Sequence, residues 1–288
     1  MPAFFGAWQR GGILPLRNHK FLSAAIALAA IAVCTLASQE GGPATAESDT
    51  VSFVGERLVY RVKWDPPWFF FFLPKMEAGE VEIELTDGAE YKGKKALKVH
   101  FKARSSGTLV KLAGVKIEDD FVFHTEPETL CTMSASERVQ EGKRKRQIDV
   151  QYLRETRQLH IREVDEAPVP PVVKKDEFKN DIPECVHDPL SAIYIFRKSP
   201  LQEKYTRSLV LANDDKIKDI RATVEKKEIL QTSSGNVAAW KTGVASLMGG
   251  LFKEGGQFKI WFSADEKKVP VQFEVKVKLG RVFGELKR

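Results

Sequence analysis

Residue types suited to phosphate binding occur together at positions 88–94, which read GAEYKGK. The spacing of the glycines and the final lysine matches a phosphate-binding loop. Such a loop continues with Ser or Thr, which holds magnesium, and with a helix whose amides face the phosphate. Here Lys95 follows, and then a strictly alternating apolar pattern. The segment is therefore interpreted as a hairpin turn between two strands.

The residues that commonly act as bases or metal ligands show no familiar spacing. The histidines after position 46 form neither a His-x-x-x-His nor a Cys-x-x-Cys pattern, and the sequence has no Gly-x-Ser-x-Gly elbow. His187 and Asp188 have the residue types of a catalytic pair, but Asp188 is better explained as a helix cap. Asp119 and Asp120 lack the further oxygens of a calcium loop and are interpreted as a turn. We expect no catalytic residue, no metal and no cofactor.

The most unusual local feature is an aromatic run bracketed by prolines, PPWFFFFLP at positions 66–74. Four consecutive phenylalanines cannot all face one core from a regular strand, because alternate side chains point to opposite faces. We expect some of these rings to enter a bilayer interface or to cover an apolar cavity. The alternative is a loop folded back over the end of the sheet. The residues assigned to ligand or membrane contact are Trp64, Trp68, Phe69, Phe70, Phe71 and Phe72, with Tyr194 and Trp261 as lining or packing residues.

Strands must position most of these residues. Apolar and polar residues alternate strictly over 97–104, 258–262 and 271–279. This period of two is typical of antiparallel strands with one buried and one solvated face. The pattern predicts a mainly β fold: a large curved antiparallel sheet or an incomplete β-barrel, covered or plugged by a short helix.

The helix is predicted over 189–198. It follows Asp188 and Pro189, which are typical of a helix cap and first turn, and it ends before Pro200. Residues 167–183 contain four prolines and are expected to form a loop or linker.

The first 46 residues are interpreted as a targeting segment. A leader with three basic residues precedes an uncharged apolar run at 21–37, and small residues at 44–46 provide a cleavage site. The alternatives are an uncleaved membrane anchor and a lipoprotein modified at Cys34. In each case residues 47–288 form a single β-rich domain exported to the periplasm or envelope.

Export changes the meaning of the positive net charge of +6. Residues 1–46 contain three of the 45 basic and one of the 39 acidic residues, so the remaining chain carries a net charge of +4. Together with the exported location, this weak excess argues against a nucleic-acid partner.

Two cysteines follow the targeting segment, Cys131 and Cys185. An oxidising compartment permits a disulfide between them. The alternative is a pair of buried free thiols, since nothing local brings the two residues together.

Several motifs occur in a characteristic order: GERLVYRVKW at 55–64, Ala-Gly at 78–79, DPLSAIY with a following arginine at 188–197, WFSAD at 261–265 and Pro-Val at 270–271. Together they resemble the exported bacterial domain-of-unknown-function family 3108 (DUF3108), over roughly residues 53–288. That family has no established activity, so the resemblance implies an exported location and a β-rich fold.

The element at 261–271 is also similar to the strand–turn–strand of periplasmic lipoprotein carriers, whose curved sheets enclose acyl chains. The leading hypothesis is a non-catalytic envelope protein that binds a lipid or another hydrophobic ligand. One alternative is an interaction protein in envelope assembly, with a packed core and a membrane surface or envelope protein as its partner. The other is an enzyme that acts on envelope glycan or lipid.

Overall fold

The computed structural model describes residues 53–287, with gaps at 69–72, 108–109, 111–113, 115, 247–257 and 278–279. The predicted targeting segment 1–46 and the four phenylalanines Phe69, Phe70, Phe71 and Phe72 lie outside the described residues. Among the residues that are described, no helix is long and apolar enough to cross a membrane.

Fourteen strands are defined in this part of the chain. In chain order they are β1 (Arg57–Asp65), β2 (Met76–Tyr91), β3 (Lys94–Ser105), β4 (Glu118–Thr125), β5 (Thr132–Glu141), β6 (Arg144–Leu153), β7 (Gln158–Asp165), β8 (Val172–Lys179), β9 (Thr206–Asn213), β10 (Lys216–Thr232), β11 (Gly235–Ser246), β12 (Phe258–Ser263), β13 (Pro270–Val277) and β14 (Gly280–Leu286). An α-helix, α1 (Pro189–Arg197), lies between β8 and β9 in the chain.

The strands form one antiparallel sheet in the order β8-β7-β6-β5-β4-β3-β2-β1-β14-β13-β12-β11-β10-β9. β1 lies in the middle and pairs with β2 on one side and with β14 on the other. On each side of this centre, strands that are consecutive in the chain are neighbours in the sheet. The sheet is not closed into a barrel. The prediction of a mainly β fold built on a large antiparallel sheet is confirmed.

The alternation of side chains creates one apolar face. In β2, Val81, Ile83 and Leu85 are buried, while Glu82 and Glu84 between them are half-buried on the opposite face. Buried side chains from both halves of the sheet and from α1 form one large core cluster. Each large apolar side chain that is fully buried stabilises the fold by roughly 1.5–3 kcal/mol.

The predicted helix is confirmed as α1. Asp188 is its N-cap, and the Asp188 carboxylate accepts hydrogen bonds from the amides of Leu190 and Ser191, each at 2.9 Å. Pro189 occupies the first turn, where its missing N–H costs nothing. The helix ends at Arg197, shortly before Pro200.

The segment that leads into α1 crosses between the two halves of the sheet. The amide of Thr132, at the start of β5, donates to the carbonyl of Val186 at 2.8 Å. His187 forms a parallel bridge with Leu211 of β9. This segment therefore holds α1 against both halves.

The turn at 88–94 is a hairpin, as predicted, and not a phosphate-binding loop. β2 ends at Tyr91 and β3 begins at Lys94. Lys92 and Gly93 between them have φ of 51° and 76°. Positive φ at both positions is typical of the tightest antiparallel hairpins. Because a strand follows, no helix N-terminus faces the loop.

Two predictions for irregular segments were wrong. Asp119 and Asp120 lie within β4 rather than in a turn, and the Asp119 side chain accepts a hydrogen bond from the amide of Gln140 at 2.9 Å. Residues 167–183 contain the edge strand β8. Their prolines lie before and after that strand, so they interrupt no ladder of hydrogen bonds.

Candidate ligand-binding cavity

An apolar cavity lies between the sheet and α1. Its volume is about 70 Å³. Strands from both halves of the sheet form its walls, and α1 contributes three further residues. The lining consists of Tyr60, Val81, Ile83, Phe101, Phe121, Phe123, Glu137, Pro189, Leu190, Ile193, Asn213, Phe258, Ile260 and Phe273.

A second apolar cavity, of about 40 Å³, adjoins the first. The two share Pro189 and Ile193 of α1 and Phe258 and Ile260 of β12. The shared walls place the cavities side by side along α1. A movement of α1 would therefore change the shape of both.

A glycine shapes one wall of the larger cavity. Gly284 of β14 pairs with Phe273 of β13, and a Cβ at Gly284 would fall 2.0 Å from the Phe273 ring. Only glycine at this position lets the Phe273 ring lie across β14. The centroid of the Phe273 ring is 5.4 Å from the centroid of the Tyr60 ring. The Tyr60 hydroxyl is satisfied, because it donates to the carbonyl of Pro270 at 2.7 Å.

Two polar residues, Glu137 and Asn213, interrupt the apolar lining. Glu137 is 8% exposed, and the alternation of β5 points it inward together with the buried Ala135 and Val139. Asp214, the neighbour of Asn213 in the β9–β10 turn, is the charged group that acts most strongly on Glu137. Burial, followed by the charge of Asp214, raises the pKa of Glu137 well above its usual range. Burial also raises the pKa of Asp214, and the charge of Arg146 opposes that shift.

The other charges near this acid pair have partners of opposite sign. Arg146 of β6 donates to Glu163 of β7 at 2.5 Å. Asp215 accepts hydrogen bonds from Lys175 and Lys179, two residues of the edge strand β8. Burial alone would raise the pKa of Asp215, but these bonds lower it to about 2. The β9–β10 turn is therefore held to β8 by ion pairs.

An ion pair anchors the far end of α1. Arg197 is 2% exposed and binds both carboxylate oxygens of Glu56, one of them at 2.8 Å. It also donates to the carbonyl of Lys267 at 3.0 Å, and its guanidinium lies 4.2 Å from the centre of the Phe53 ring. Tyr194 is 1% exposed, with its ring 5.5 Å from that of Phe53. Tyr194 is thus a packing residue of the α1 anchor.

The structure separates the other aromatic residues selected from the sequence. Trp64 is partly buried and packs against the main core, whereas Trp68 is 85% exposed. Trp261 packs with Ala239 and Val271 in a second, small cluster, and its indole donates to Glu228 at 2.6 Å.

Among the described residues, the lining of the main cavity includes none of Trp64, Trp68, Tyr194 and Trp261. Contact of Trp68 and the adjoining Phe69, Phe70, Phe71 and Phe72 with a ligand or membrane stays a prediction.

Two of the partly buried histidines, His124 and His187, contact neutral groups. Nδ1 of His124 lies 3.0 Å from the Ser134 hydroxyl, and Nδ1 of His187 lies 3.0 Å from the carbonyl of Leu130. Burial lowers the pKa of both rings. Neither ring hydrogen-bonds to a carboxylate in the part of the chain that is described, so neither has the orienting partner of a catalytic dyad.

Cys131 and Cys185 are joined by a disulfide, with their Cα atoms 5.3 Å apart. Nε2 of His187 lies 3.5 Å from the sulfur of Cys185. These three residues are the group with metal-ligand geometry among the described residues. Both sulfurs are used in the disulfide and are not thiolates, which are the form that binds zinc.

A family model described as "Protein of unknown function (DUF3108)" matches residues 59–287. The chain belongs to the DUF3108 family. The family predicted from the sequence motifs is therefore confirmed. A search of curated proteins finds no match to this DUF3108 protein.

Among solved structures, the DUF3108 protein is similar to a beta-barrel-like protein of domain of unknown function DUF1849 from Brucella abortus. The TM-score is 0.52 at 10% sequence identity, and the match covers 81% of this chain and 95% of that chain. A similarity at this level of identity shows the fold alone.

Sequence analysis missed the polar residues of the cavity. The inward position of Glu137 could have been predicted from the sequence. Glu137 lies between Ala135 and Val139 on the face of β5 that the alternation of side chains assigns to the core. Asp214 and Asn213 have no such signal, since their turn reaches Glu137 only when the sheet curves. The pairing of Glu56 with Arg197 is equally inaccessible, because 141 positions separate the two residues.

Proposed function

We propose that this DUF3108 protein binds a hydrophobic ligand, of the chemical character of a lipid chain, between its sheet and α1. The role is one of binding and not of catalysis. The observation that carries the proposal is the apolar lining of the cavity, to which the sheet and α1 both contribute. Ligand sites in proteins have mostly apolar walls and a few polar groups.

The composition of the walls supports a flexible apolar ligand. Five phenylalanines and three aliphatic residues of the sheet face the same space as Leu190 and Ile193 of α1. Burial of each methylene of such a ligand contributes about 0.8 kcal/mol. The similarity of 261–271 to periplasmic lipoprotein carriers supports the same role by analogy.

We also propose that the protein acts outside the cytoplasm, in the periplasm or at the envelope. The basic leader and apolar run of residues 1–46 support export. The disulfide between Cys131 and Cys185 supports it too, because disulfides persist in oxidising compartments.

The proposal is tested by narrowing the cavity. Ile193 lines both cavities, so Ile193→Trp places an indole in the space that the ligand would occupy. The purified full chain, stripped of copurified lipid, is titrated with the neutral apolar fluorophore N-phenyl-1-naphthylamine. We expect saturable binding to the unmodified protein and a loss of about tenfold or more in affinity for Ile193→Trp, which corresponds to about 1.4 kcal/mol.

The matched control is Ile229→Trp, since Ile229 of β10 is 62% exposed. This variant makes the same exchange of side chains away from the cavity and should bind the fluorophore like the unmodified protein. The proposal fails if the unmodified protein shows no saturable binding, or if both variants bind equally well.

A further inference from the structure

A third cavity lies where the β2–β3, β4–β5 and β6–β7 connections meet, and it is called the hairpin cavity below. Its volume is about 410 Å³, within the range of about 300–1,000 Å³ that is common for ligand sites. Among the described residues, none lines both the hairpin cavity and a cavity beside α1. We propose that the hairpin cavity binds a small organic anion, in which a carboxylate or phosphate group is attached to an apolar body.

The order of the strands brings the polar residues of the hairpin cavity together. Tyr91 and Lys92 belong to the β2–β3 hairpin, Glu126 to the β4–β5 connection and Arg154 to the β6–β7 turn. Strands β2 to β7 are consecutive neighbours in the antiparallel sheet. Their three connections therefore lie at the same end of the sheet.

The guanidinium of Arg154 is paired on one side. Its Nη1 donates to the Glu126 carboxylate at 3.1 Å, whereas its Nη2 is buried and has no hydrogen-bond partner among the described residues. A buried donor without an acceptor is costly. Carboxylate and phosphate oxygens are the acceptors that arginine binds most strongly, so an anion would use the second side of the guanidinium.

The hydroxyl of Tyr91 is a second buried group without a hydrogen-bond partner in the part of the chain that is described. The Tyr91 ring is held by the His124 ring, on which it stacks with the centroids 5.4 Å apart. A tyrosine hydroxyl donates one hydrogen bond, and an oxyanion has several lone pairs to accept it. One anionic group can therefore accept from both Tyr91 and Arg154.

The charge of the lining favours an anion, because three cations and two acids line the hairpin cavity. Each acid is paired with a cation: Glu126 with Arg154, and Glu155 with Lys94 at 2.9 Å. Lys92 instead donates to the neutral amide oxygen of a glutamine of β6 at 2.8 Å, and it forms no ion pair with a described residue. One positive charge is therefore left in excess.

The other walls suit an organic anion better than an inorganic one. Met133 of β5 and Tyr152 and Leu153 of β6 contribute apolar surface to the lining. Methionine adapts its shape to the group that it contacts. An anion with an apolar or aromatic body would use these walls as well as the donors.

The test compares two fluorophores that differ only in a negative charge. Anilinonaphthalene sulfonate has the rings of N-phenyl-1-naphthylamine and a sulfonate, which stands in for a carboxylate or phosphate. The lipid-stripped full chain is titrated with each fluorophore. We expect the unmodified protein and Ile193→Trp to bind the sulfonate with affinities that agree within about twofold, because no described residue of α1 lines the hairpin cavity.

Variants of the two unpaired groups locate the site. Arg154→Gln should weaken binding of the sulfonate by about tenfold or more, and Tyr91→Phe by about threefold, because hydrogen bonds to charged groups are the stronger ones. Tyr91→Phe keeps the ring that stacks on His124. Neither variant should change the affinity for N-phenyl-1-naphthylamine by more than about twofold, which also shows that the variants are folded.

The matched control is Arg162→Gln. Arg162 of β7 is exposed, lies 3.7 Å from the carboxylate of Asp176, and does not line the hairpin cavity. This variant makes the same exchange as Arg154→Gln in the same half of the sheet. It should bind the sulfonate like the unmodified protein.

Displacement of the fluorophore identifies the group that is recognised. Benzyl phosphate and phenylacetate should displace the sulfonate at concentrations about tenfold or more below those of benzyl alcohol and inorganic phosphate. Equal displacement by benzyl alcohol would overturn recognition of the charge. Equal displacement by inorganic phosphate would overturn the role of the apolar walls.

Two further results would overturn the anion site and leave the proposed function intact. One is unchanged binding of the sulfonate in both Arg154→Gln and Tyr91→Phe. The other is loss of sulfonate binding in Ile193→Trp, which would place the fluorophore beside α1. If Arg154→Gln does not fold, Lys92→Gln at an exposed position removes the excess charge and should weaken binding of the sulfonate by about threefold.

Discussion

At the scale of single residues, the informative positions are those where a charged group lies on the buried face. Glu137 follows the alternation of β5, and Arg197 follows the inward stripe of α1. A charge in such a position is stable only with a partner. Arg197 finds its partner in Glu56, whereas Glu137 lies in the wall of the cavity. The pair of Arg197 and Glu56 anchors α1.

Removal of the partner of Arg197 should destabilise the protein strongly. Glu56→Gln leaves the guanidinium buried without a counter-charge, and we expect a loss of about 3 kcal/mol in the free energy of unfolding. Urea unfolding followed by tryptophan fluorescence measures it. Glu155→Gln breaks the exposed pair with Lys94 and should leave the free energy of unfolding nearly unchanged. Similar losses in the two variants would contradict the anchor role of Glu56.

At the scale of elements, α1 depends on the segment that precedes it. That segment bonds to the start of β5 through Val186, to β9 through His187, and to Cys131 through the disulfide of Cys185. These contacts with both halves of the sheet hold α1 against it. They also determine the width of the cavity, because α1 forms one of its walls.

Reduction of the disulfide should loosen this arrangement. The bond joins residues separated by 54 positions, and closure of a loop of that length stabilises the fold by about 4 kcal/mol. We expect a reductant to lower the free energy of unfolding by an amount of this order. The double variant Cys131→Ala, Cys185→Ala should show the same loss and no further response to reductant. A response in the double variant would assign the effect to another thiol.

At the scale of the whole molecule, the two edges of the open sheet are brought towards each other. β8 and β9 are the edge strands. Lys175 and Lys179 of β8 bind Asp215 in the turn after β9, so ion pairs link edges that are not joined by a ladder of backbone hydrogen bonds in the described structure. The same turn contributes Asn213 to the wall of the cavity. The approach of the two edges and part of the cavity wall therefore depend on one turn.

This link between the edges should weaken in acid. The hydrogen bonds from Lys175 and Lys179 lower the pKa of Asp215 to about 2, against about 3.9 in an unfolded chain. A depressed pKa contributes stability that is complete above about pH 4 and is lost as the pH falls towards 2. We expect Asp215→Asn to lower stability at neutral pH and to flatten its decline between about pH 4 and pH 2.

Thermal unfolding at a series of pH values provides the measurement. Asp87→Asn, at an exposed position of β2, serves as the control and should leave the profile unchanged. An identical acid profile for Asp215→Asn and the unmodified protein would show that the lysine contacts do not stabilise the closed arrangement.

Much of the fold was predictable because its signals are local. The alternation of residues 271–277 predicted β13, and Asp188 with Pro189 predicted the start of α1. The proline-rich stretch that contains β8 was mispredicted as a loop, because edge strands tolerate proline at their ends. Aromatic residues were a poor guide to the cavity: Trp261 packs in a separate cluster, and Tyr194 packs in the anchor of α1.

The sequence by itself determined the family, the predominance of strands and the position of α1. The family depends on local motifs, the strands on the alternation of apolar and polar residues, and the position of α1 on its N-cap. All three are properties of residues that are close together in the sequence. Only the tertiary structure decided that β1 pairs with β14, that a cavity lies between α1 and the sheet, and that Glu137 and Asn213 line it together. Those features require distant strands to come together, and the alternation within a strand identifies its buried face without identifying what that face will meet.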